Sequence, residues 1–244
     1  MTDNNNQKRI KAALAAKPWF GFDLDDTLHE FRRASSAATA KTLEKISRQH
    51  DIPMASLGQE YSEILRETTL GAFSDGKTSF EYRRDRFGSL MARFSLVPDA
   101  EFLSRLLEVY ENTLNDSLRL KDGALELLLK LKAAGKKVAV ITEGPQDAQE
   151  RTLKHLGIAE HVDFLATTNF FKVSKTEGLF PKVLEHLGIP AADMVCFGDN
   201  QARDTTPAME AGILSIHFAE HAETSFDADP PHVKTLQEIV LLIL

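Results

Sequence analysis

The sequence contains a single cysteine, Cys196, so an intrachain disulfide is excluded. A chain without disulfides suits a reducing compartment, and we expect a cytoplasmic protein. No apolar run approaches the roughly 20 residues of a membrane-spanning helix, so we expect no membrane partner. No stretch concentrates Lys and Arg enough to suggest a nucleic-acid groove, and the net charge of −7 opposes binding to a phosphate backbone. We therefore expect no nucleic-acid partner.

The composition is that of a globular protein. Hydrophobic residues make up 43% and charged residues 27% of the 244 positions, which is ordinary for a folded domain. The length fits one large domain or a core domain with an insertion. Residues 1–8 are polar and rich in Asn, which predicts a frayed tail rather than a signal peptide.

Short apolar segments alternate with amphipathic segments over most of the chain. Strands are predicted for residues 18–24, 137–141, 162–166, 194–197 and 213–218. Helices are predicted for residues 123–134 with Asp122 as N-cap, 145–157, a segment ending at 187, 207–212 and 235–244. This alternation indicates an α/β fold with a parallel sheet covered by helices on both faces.

The alternation is interrupted once, after the first strand. Residues 32–118 contain no good strand and predict helices at 34–50, 56–68, 79–94 and 99–117. Loops at 51–53, 71–77 and 96–98 separate them. We interpret residues 32–118 as a helical cap inserted into a core formed by residues 1–31 and 119–244.

Polar side chains follow several of the predicted strands. Asp23 and Asp25 end the first strand, Thr142 follows the second and Asp199 follows the fourth. The carboxyl ends of parallel strands share one edge of the sheet, where ligands bind near the reversal of strand order. Asp204 comes five residues after Asp199, and we expect it to reach the same place.

Crowded carboxylates repel one another unless a cation lies among them or one stays protonated. Oxygen ligands without nearby His or Cys favour Mg²⁺ over zinc. Asp23 can then act as a nucleophile that forms a phosphoenzyme. Asp25 can protonate the leaving oxygen and later activate water.

The phosphoryl group needs further donors. Lys175 lies between the third and fourth strands in chain order, and its ammonium can pair with Asp23 and with phosphoryl oxygens. Thr142 and the backbone amides of Glu143 and Gly144 can donate to the same oxygens.

These segments together resemble the haloacid dehalogenase superfamily, in its capped phosphatase branch. The motifs that carry the resemblance are Asp23-Leu24-Asp25-Asp26-Thr27, then Thr142, Lys175, and Gly198-Asp199-Asn200-Gln201-Ala202-Arg203-Asp204. The resemblance implies a Rossmann-like core with an inserted helical cap. It also implies that Mg²⁺ is held by Asp23, the backbone carbonyl of Asp25 and Asp199, with Asp204 nearby.

Several positions keep two interpretations. Lys172 competes with Lys175, because the turn that often follows the family's lysine is shorter here. Glu143 stands where Asn is common, and its charge could repel the phosphate, or its side chain could face away or contact substrate. Asp204 could instead cap the following helix, and His29 could serve as linker or contact substrate. Arg83, Arg84 and Arg86 either clamp an anionic substrate or, in the favoured interpretation, pair with Glu81 and Asp85 on a solvated helix face.

The leading functional hypothesis is hydrolysis of a small phosphomonoester, with a phosphorylated metabolite as the partner. The alternatives are a phosphosugar mutase, a carbon–halogen hydrolase and a non-catalytic binding protein that retains the fold. Asp25 counts against the carbon–halogen hydrolase, since that branch lacks an acid at this position. The sequence predicts neither the substrate nor the oligomeric state.

Overall fold

The computed structural model describes residues 2–68, 73–97 and 99–243. Its core is a sheet of parallel strands flanked by helices. The strands are β1 (Trp19–Phe22), β2 (Lys137–Thr142), β3 (Phe164–Thr167), β4 (Met194–Gly198), β5 (Leu214–Phe218) and β6 (His232–Val233). The helices are α1 (Thr2–Ala16), α2 (Phe31–His50), α3 (Met54–Thr68), α4 (Ser79–Arg93), α5 (Ala100–Ser117), α6 (Ala124–Ala133), α7 (Gln146–His155), α8 (Thr168–Phe171), α9 (Leu179–Leu187), α10 (Thr206–Glu210) and α11 (Leu236–Ile243).

The strand order is β3-β2-β1-β4-β5-β6, and all pairs are parallel. Phe22, the last residue of β1, pairs with Val140 of β2 and with Phe197 of β4. The chain proceeds outward from β1 to β3 and then crosses to β4 on the other side of β1. The strand order therefore reverses between β1 and β4, where open α/β sheets bind ligands. The predicted fold class is confirmed.

Both faces of the sheet are buried, so the neighbouring strands β1 and β4 are apolar throughout rather than alternating in polarity. Phe20, Phe22 and Phe197 pack on one face, and the rings of Phe22 and Phe197 stack with centroids 5.1 Å apart. Helices α1, α6 and α11 cover this face with residues such as Leu14, Leu128 and Ile239. The opposite face, which includes Ile141 and Cys196, packs against α9 and α10.

Helices α2–α5 lie between β1 and β2 in the chain, and we call them the helical insert. They have their own hydrophobic cluster, in which Phe87 and Leu90 are fully buried as their helical spacing predicts. The helical spacing of Phe80 and Phe94 predicts that they belong to the same cluster. Phe94 is partly buried there, but Phe80 is 42% exposed, with the Arg151 guanidinium 5.2 Å from its ring centroid.

Two predictions about local structure are wrong. Residues 2–8 belong to α1, because Ile10 and Leu14, one helical turn apart, anchor this helix in the core. Helix α6 has Gly123 at its N-cap, with φ at +85°, and Asp122 makes no side-chain cap bond there. The predicted strands also omit β6. Predictions for Met1, for residues 71–72 and 98 in the loops, and for Leu244 lie outside the described residues.

None of the described helices combines the length and apolarity that crossing a bilayer requires.

Candidate active site

The loop after β1 is tied to the loop after β4. Asp23 is the first residue beyond β1, and its N–H donates to Phe197 O at 2.8 Å, which extends the pairing of the two strands. Thr27 is fully buried; its Oγ1 donates to Asp23 Oδ2 at 3.2 Å and accepts the Asp199 N–H at 3.0 Å. A single hydroxyl therefore fixes the positions of Asp23 and Asp199 relative to each other.

Lys175 lies between two buried carboxylates. Its Nζ is 2.5 Å from Asp23 Oδ1 and 2.6 Å from Asp204 Oδ1, and the Lys175 side chain is 2% exposed. Burial alone would lower the pKa of Lys175, but Asp204 and Asp23 outweigh burial and raise it. The ammonium is therefore charged at neutral pH. Lys172 is exposed at the end of α8, so the structure brings Lys175, not Lys172, to Asp23.

Asp204 reaches this position through an unusual backbone. Residues Gln201–Thr205 form a turn of π-helix, and Asp204 Oδ2 accepts the Asn200 N–H at 2.9 Å. A Cβ atom at residue 198 would lie 2.4 Å from the Asp204 Cβ, so only glycine fits there. The N-cap of α10 has no side-chain bond. The alternative that Asp204 caps that helix is therefore wrong.

The carboxylates exceed the cations at the buried centre of the site. Asp23, Asp199 and Asp204 each offer an oxygen within 4.8 Å of the others, and Lys175 is the buried cation among them. Arg32 Nη2 is 3.0 Å from Asp199 Oδ2, but its side chain is 71% exposed, so solvent screens that pair. Burial raises the pKa of Asp23, and the charges of Asp204 and Asp25 add to this effect while Lys175 opposes it.

The donor set fits a hard divalent cation. All the candidate ligands are oxygen atoms, which Mg²⁺ prefers, and the uncompensated negative charge favours a cation there. Burial, followed by the charge of Asp204, also raises the pKa of Asp199. Bringing a divalent ion among these groups would favour their ionised forms.

Asp25 is oriented by two partners. Its Oδ1 accepts from His29 Nε2 at 2.9 Å, and its Oδ2 lies 3.4 Å from Gln149 Nε2. His29 is fully buried and belongs to the same loop as Asp25. His29 therefore contacts Asp25, a role that neither interpretation from the sequence, linker or substrate contact, included. Gln149 was not predicted, because nothing in a lone glutamine on a helix marks it as part of a site.

The loop after β2 contributes Thr142 to the site. Thr142 is buried, and its side chain makes only a marginal contact of 3.5 Å with Glu143 O. The Gly144 N–H already donates to Thr168 Oγ1 at 3.1 Å, so the prediction that this amide binds phosphoryl oxygens is wrong. The Glu143 carboxylate accepts from Arg203 Nη1 at 3.2 Å, so its charge is paired rather than free to repel an anion.

One cavity joins these groups. It has a volume of about 740 Å³ and extends from the sheet edge into the helical insert. The predicted site residues that line it are Asp23, Asp25, Thr142, Lys175, Asp199 and Asp204. The structure thus brings all six together, although they come from four separate segments of the chain.

The insert is tied to the core beside this cavity. Asp147 of α7 accepts the Ser79 N–H at 2.9 Å and the Ser79 hydroxyl at 2.7 Å. Arg151, one turn later, donates to Glu111 of α5 at 2.8 Å and to Asp147 at 2.9 Å. Burial would raise the pKa of Asp147, but the hydrogen bonds from Ser79 and Arg151 lower it. These contacts hold α4 and α5 against the core.

The basic residues of α4 lie in different environments. Arg83 pairs with Glu111 and has its guanidinium carbon 4.6 Å from the ring centroid of Tyr110. Arg86 lines the cavity, whereas Arg84 is exposed, 4.0 Å from Asp85. Glu81 forms a capping box with Thr78 instead of pairing with this group. The favoured prediction of a solvated face is therefore wrong for Arg83 and Arg86.

The core is a Rossmann-like sheet with an acidic cluster at its switch point and a lysine bound to the first aspartate. This combination is typical of one family of hydrolases. A model of the haloacid dehalogenase-like hydrolases matches residues 19–212. The chain belongs to this family, which confirms the resemblance inferred from the sequence.

The relatives of this chain include phosphatases. The chain is 25% identical over 226 residues to the glyceraldehyde 3-phosphate phosphatase of Methanocaldococcus jannaschii, covering 91% of this chain and 95% of the relative. It is 24% identical over 212 residues to the pyrimidine 5′-nucleotidase YjjG of Escherichia coli, covering 84% and 89%. A phosphatase structure from Thermococcus onnurineus superposes with a TM-score of 0.68 at 22% identity, covering 93% and 97% of the two chains.

Proposed function

We propose that this protein is a Mg²⁺-dependent phosphatase that hydrolyses a small phosphomonoester through an aspartyl-phosphate on Asp23. The observation that carries this proposal is the junction of Asp23, Asp25, Lys175 and Asp199 at the floor of one cavity. The relatives named as phosphatases of glyceraldehyde 3-phosphate and of pyrimidine nucleotides support a phosphoric monoester hydrolase.

In the first step a carboxylate oxygen of Asp23 attacks phosphorus, and the bond from phosphorus to the substrate oxygen breaks. The Asp25 carboxyl group gives its proton to that leaving oxygen. His29 and Gln149 hold Asp25 towards the cavity for this transfer. In the second step Asp25 takes a proton from water, whose oxygen attacks phosphorus. Phosphate is released and the Asp23 carboxylate is restored.

Lys175 holds the nucleophile in place. Its bond to Asp23 Oδ1 leaves Oδ2 near Thr27, so the carboxylate has a fixed orientation. The ammonium and the Thr142 hydroxyl would also stabilise negative charge on the phosphoryl oxygens. Asp23, the Asp25 backbone carbonyl, Asp199 and Asp204 would hold Mg²⁺. When bound, the ion would neutralise phosphoryl charge in the transition state.

We also propose that the helical insert is the cap domain, with residues 32–118 as cap and residues 1–31 and 119–244 as core. The separate hydrophobic cluster of α2–α5 and the cavity beneath it support this division. Closing the cap would exclude water from the reaction. A cytoplasmic location, and the absence of membrane and nucleic-acid partners, stay predictions from composition.

The test is release of inorganic phosphate from a panel of phosphomonoesters in the presence of Mg²⁺. Asp23→Asn should abolish release, because an amide oxygen is a poor nucleophile. Asp122→Asn makes the same chemical change at an exposed position that does not line the cavity, and it should retain full activity. Comparable turnover by Asp23→Asn and the parent would exclude this mechanism. Undiminished turnover in excess EDTA would exclude the metal, and transfer of phosphate to a second substrate hydroxyl without net release would indicate a mutase.

A further inference from the structure

The two ends of the cavity differ in charge. The end formed by the core carries the aspartates described above. The end formed by the insert is lined by hydroxyl groups, apolar side chains and the guanidinium groups of Arg83 and Arg86. Among the described residues of the insert, none that lines the cavity is a carboxylate. An elongated ligand would therefore meet a metal-binding acidic centre at one end and a positive surface at the other.

Arg86 differs from the other cations that line this cavity. Lys175 pairs with Asp23 and Asp204, Arg83 with Glu111, Arg32 with Asp199 and Asp26, and Arg203 with Glu143. Arg86 has no carboxylate within ion-pair distance in the part of the chain that the structure describes. It is therefore the cavity cation whose charge is left without a counterion.

The Arg86 side chain is held in position before any ligand binds. Its Nε donates to Thr68 Oγ1 at 3.0 Å. Its guanidinium carbon lies 5.7 Å from the ring centroid of Phe73 and 5.9 Å from that of Tyr82. These contacts fix the plane of the guanidinium group, and a preorganised donor loses little entropy on binding.

One donor of Arg86 lacks a partner. Its Nη2 is inaccessible to solvent and makes no hydrogen bond to any described residue. A buried, unpaired donor on a charged group is costly, and a ligand oxygen that displaced the atoms covering Nη2 and accepted from it would remove that cost. Burial also lowers the pKa of Arg86, because the charged guanidinium group is poorly solvated in this position.

We propose that Arg86 binds a second anionic group, a carboxylate or a phosphate, of the phosphomonoester whose phosphoryl group lies at Asp23. The inference rests on the phosphatase function proposed above and narrows the substrate to compounds that are anionic at both ends. The cavity volume of about 740 Å³ is within the range of sites for small ligands. The hydroxyl groups of the insert would contact the hydroxylated part of the ligand between its two anionic groups.

Two matched pairs of substrates test the proposal. In one, 3-phosphoglycerate carries a carboxylate that glycerol 3-phosphate lacks; in the other, fructose 1,6-bisphosphate carries a phosphate that fructose 6-phosphate lacks. The parent should show a higher kcat/KM for the anionic member of at least one pair, by about ten- to a hundredfold for a charge-assisted bond. The pair that shows the preference identifies the second anion.

The variants are Arg86→Gln, Arg86→Lys and the control Arg84→Gln. Arg86→Gln should remove the preference. Arg86→Lys keeps the charge but loses the planar pair of guanidinium donors, so it should retain part of the preference. Arg84 is exposed on the same helix, so its variant should keep the parent's ratios.

A parent without preference in either pair would overturn this inference, as would an Arg86→Gln variant that lowers both members of a pair equally. Absence of phosphate release from all four compounds and from p-nitrophenyl phosphate would overturn the phosphatase function itself. Turnover of p-nitrophenyl phosphate without any preference would overturn only the second-anion site.

Discussion

Lys175→Met is expected to destabilise the fold strongly, because it leaves two carboxylates buried without their shared cation. The side chains of Lys175, Asp23 and Asp204 are 2%, 9% and 7% exposed, so solvent cannot replace the ammonium. Breaking a buried ion pair by removing one partner costs about 3–5 kcal/mol. In a chain of this length that loss corresponds to a decrease in Tm on the order of 10 °C.

The loss should depend on pH with a defined sign. Burial already raises the pKa of Asp23, and Lys175 opposes that effect, so removing the lysine raises the pKa further. A carboxylate with a raised pKa binds a proton more readily in the folded protein than in the unfolded chain. The destabilisation is therefore largest above the folded pKa of Asp23 and decreases as the pH falls through it.

Thermal unfolding followed by circular dichroism measures this effect, at pH 5 and pH 8 and with EDTA present. Lys172→Met is the matched control. It makes the same change in charge as Lys175→Met, but at an exposed lysine three residues earlier in the chain. Its Tm should stay close to that of the parent. A Lys175→Met variant that melts with the parent at pH 8, or one whose deficit grows at pH 5, would refute the reasoning.

Two more predictions concern packing and metal binding. Gly21→Ala should destabilise the protein by about 1–3 kcal/mol, because its Cβ would lie 2.7 Å from Cys196 Sγ. Adding Cys196→Ala should recover part of the loss in urea unfolding, and no recovery would show that other contacts dominate. Mg²⁺ at a hundred times its Kd should stabilise the parent by about 2.7 kcal/mol. This stabilisation should appear as an increase in Tm on adding Mg²⁺, and Asp199→Asn should remove most of that increase. If Mg²⁺ raises the Tm of the variant as much as that of the parent, Asp199 is not a metal ligand.

The sequence was sufficient to predict the centre of the site, because the topology of a parallel sheet largely determines where these side chains lie. Asp23 and Asp199 follow strands that turn out to be neighbours, and Asp25 and Asp204 lie within a few residues of them. Any fold that puts these strand ends together brings the carboxylates together as well. Lys175 was predicted from its order in the chain, and its burial against Asp23 explains why Lys172 does not compete.

What the sequence did not predict depends on side-chain packing between distant segments. Gln149 reaches Asp25 from a helix far along the chain, and the Thr168 hydroxyl oxygen accepts a hydrogen bond from the Gly144 N–H. Neither contact has a local signature. Arg83 and Arg86 looked like a solvated group because their neighbours Glu81 and Asp85 suggested pairs, but the path of α4 turns them towards the cavity. Helix α1 was missed because its two apolar anchors follow a long polar stretch.

The position of the helical insert has a consequence for the order in which the chain folds. Trp19 of the central strand pairs with Lys137 and with Met194, so β1 is synthesised long before either neighbour. Helices α2–α5 contact mainly one another and can consolidate as they leave the ribosome. We expect β1 to stay unpaired through that interval, with Phe20 and Phe22 exposed, until the distant strands arrive. In nascent chains truncated before Met194, the β1 segment should therefore be the preferred site of chaperone capture and of aggregation.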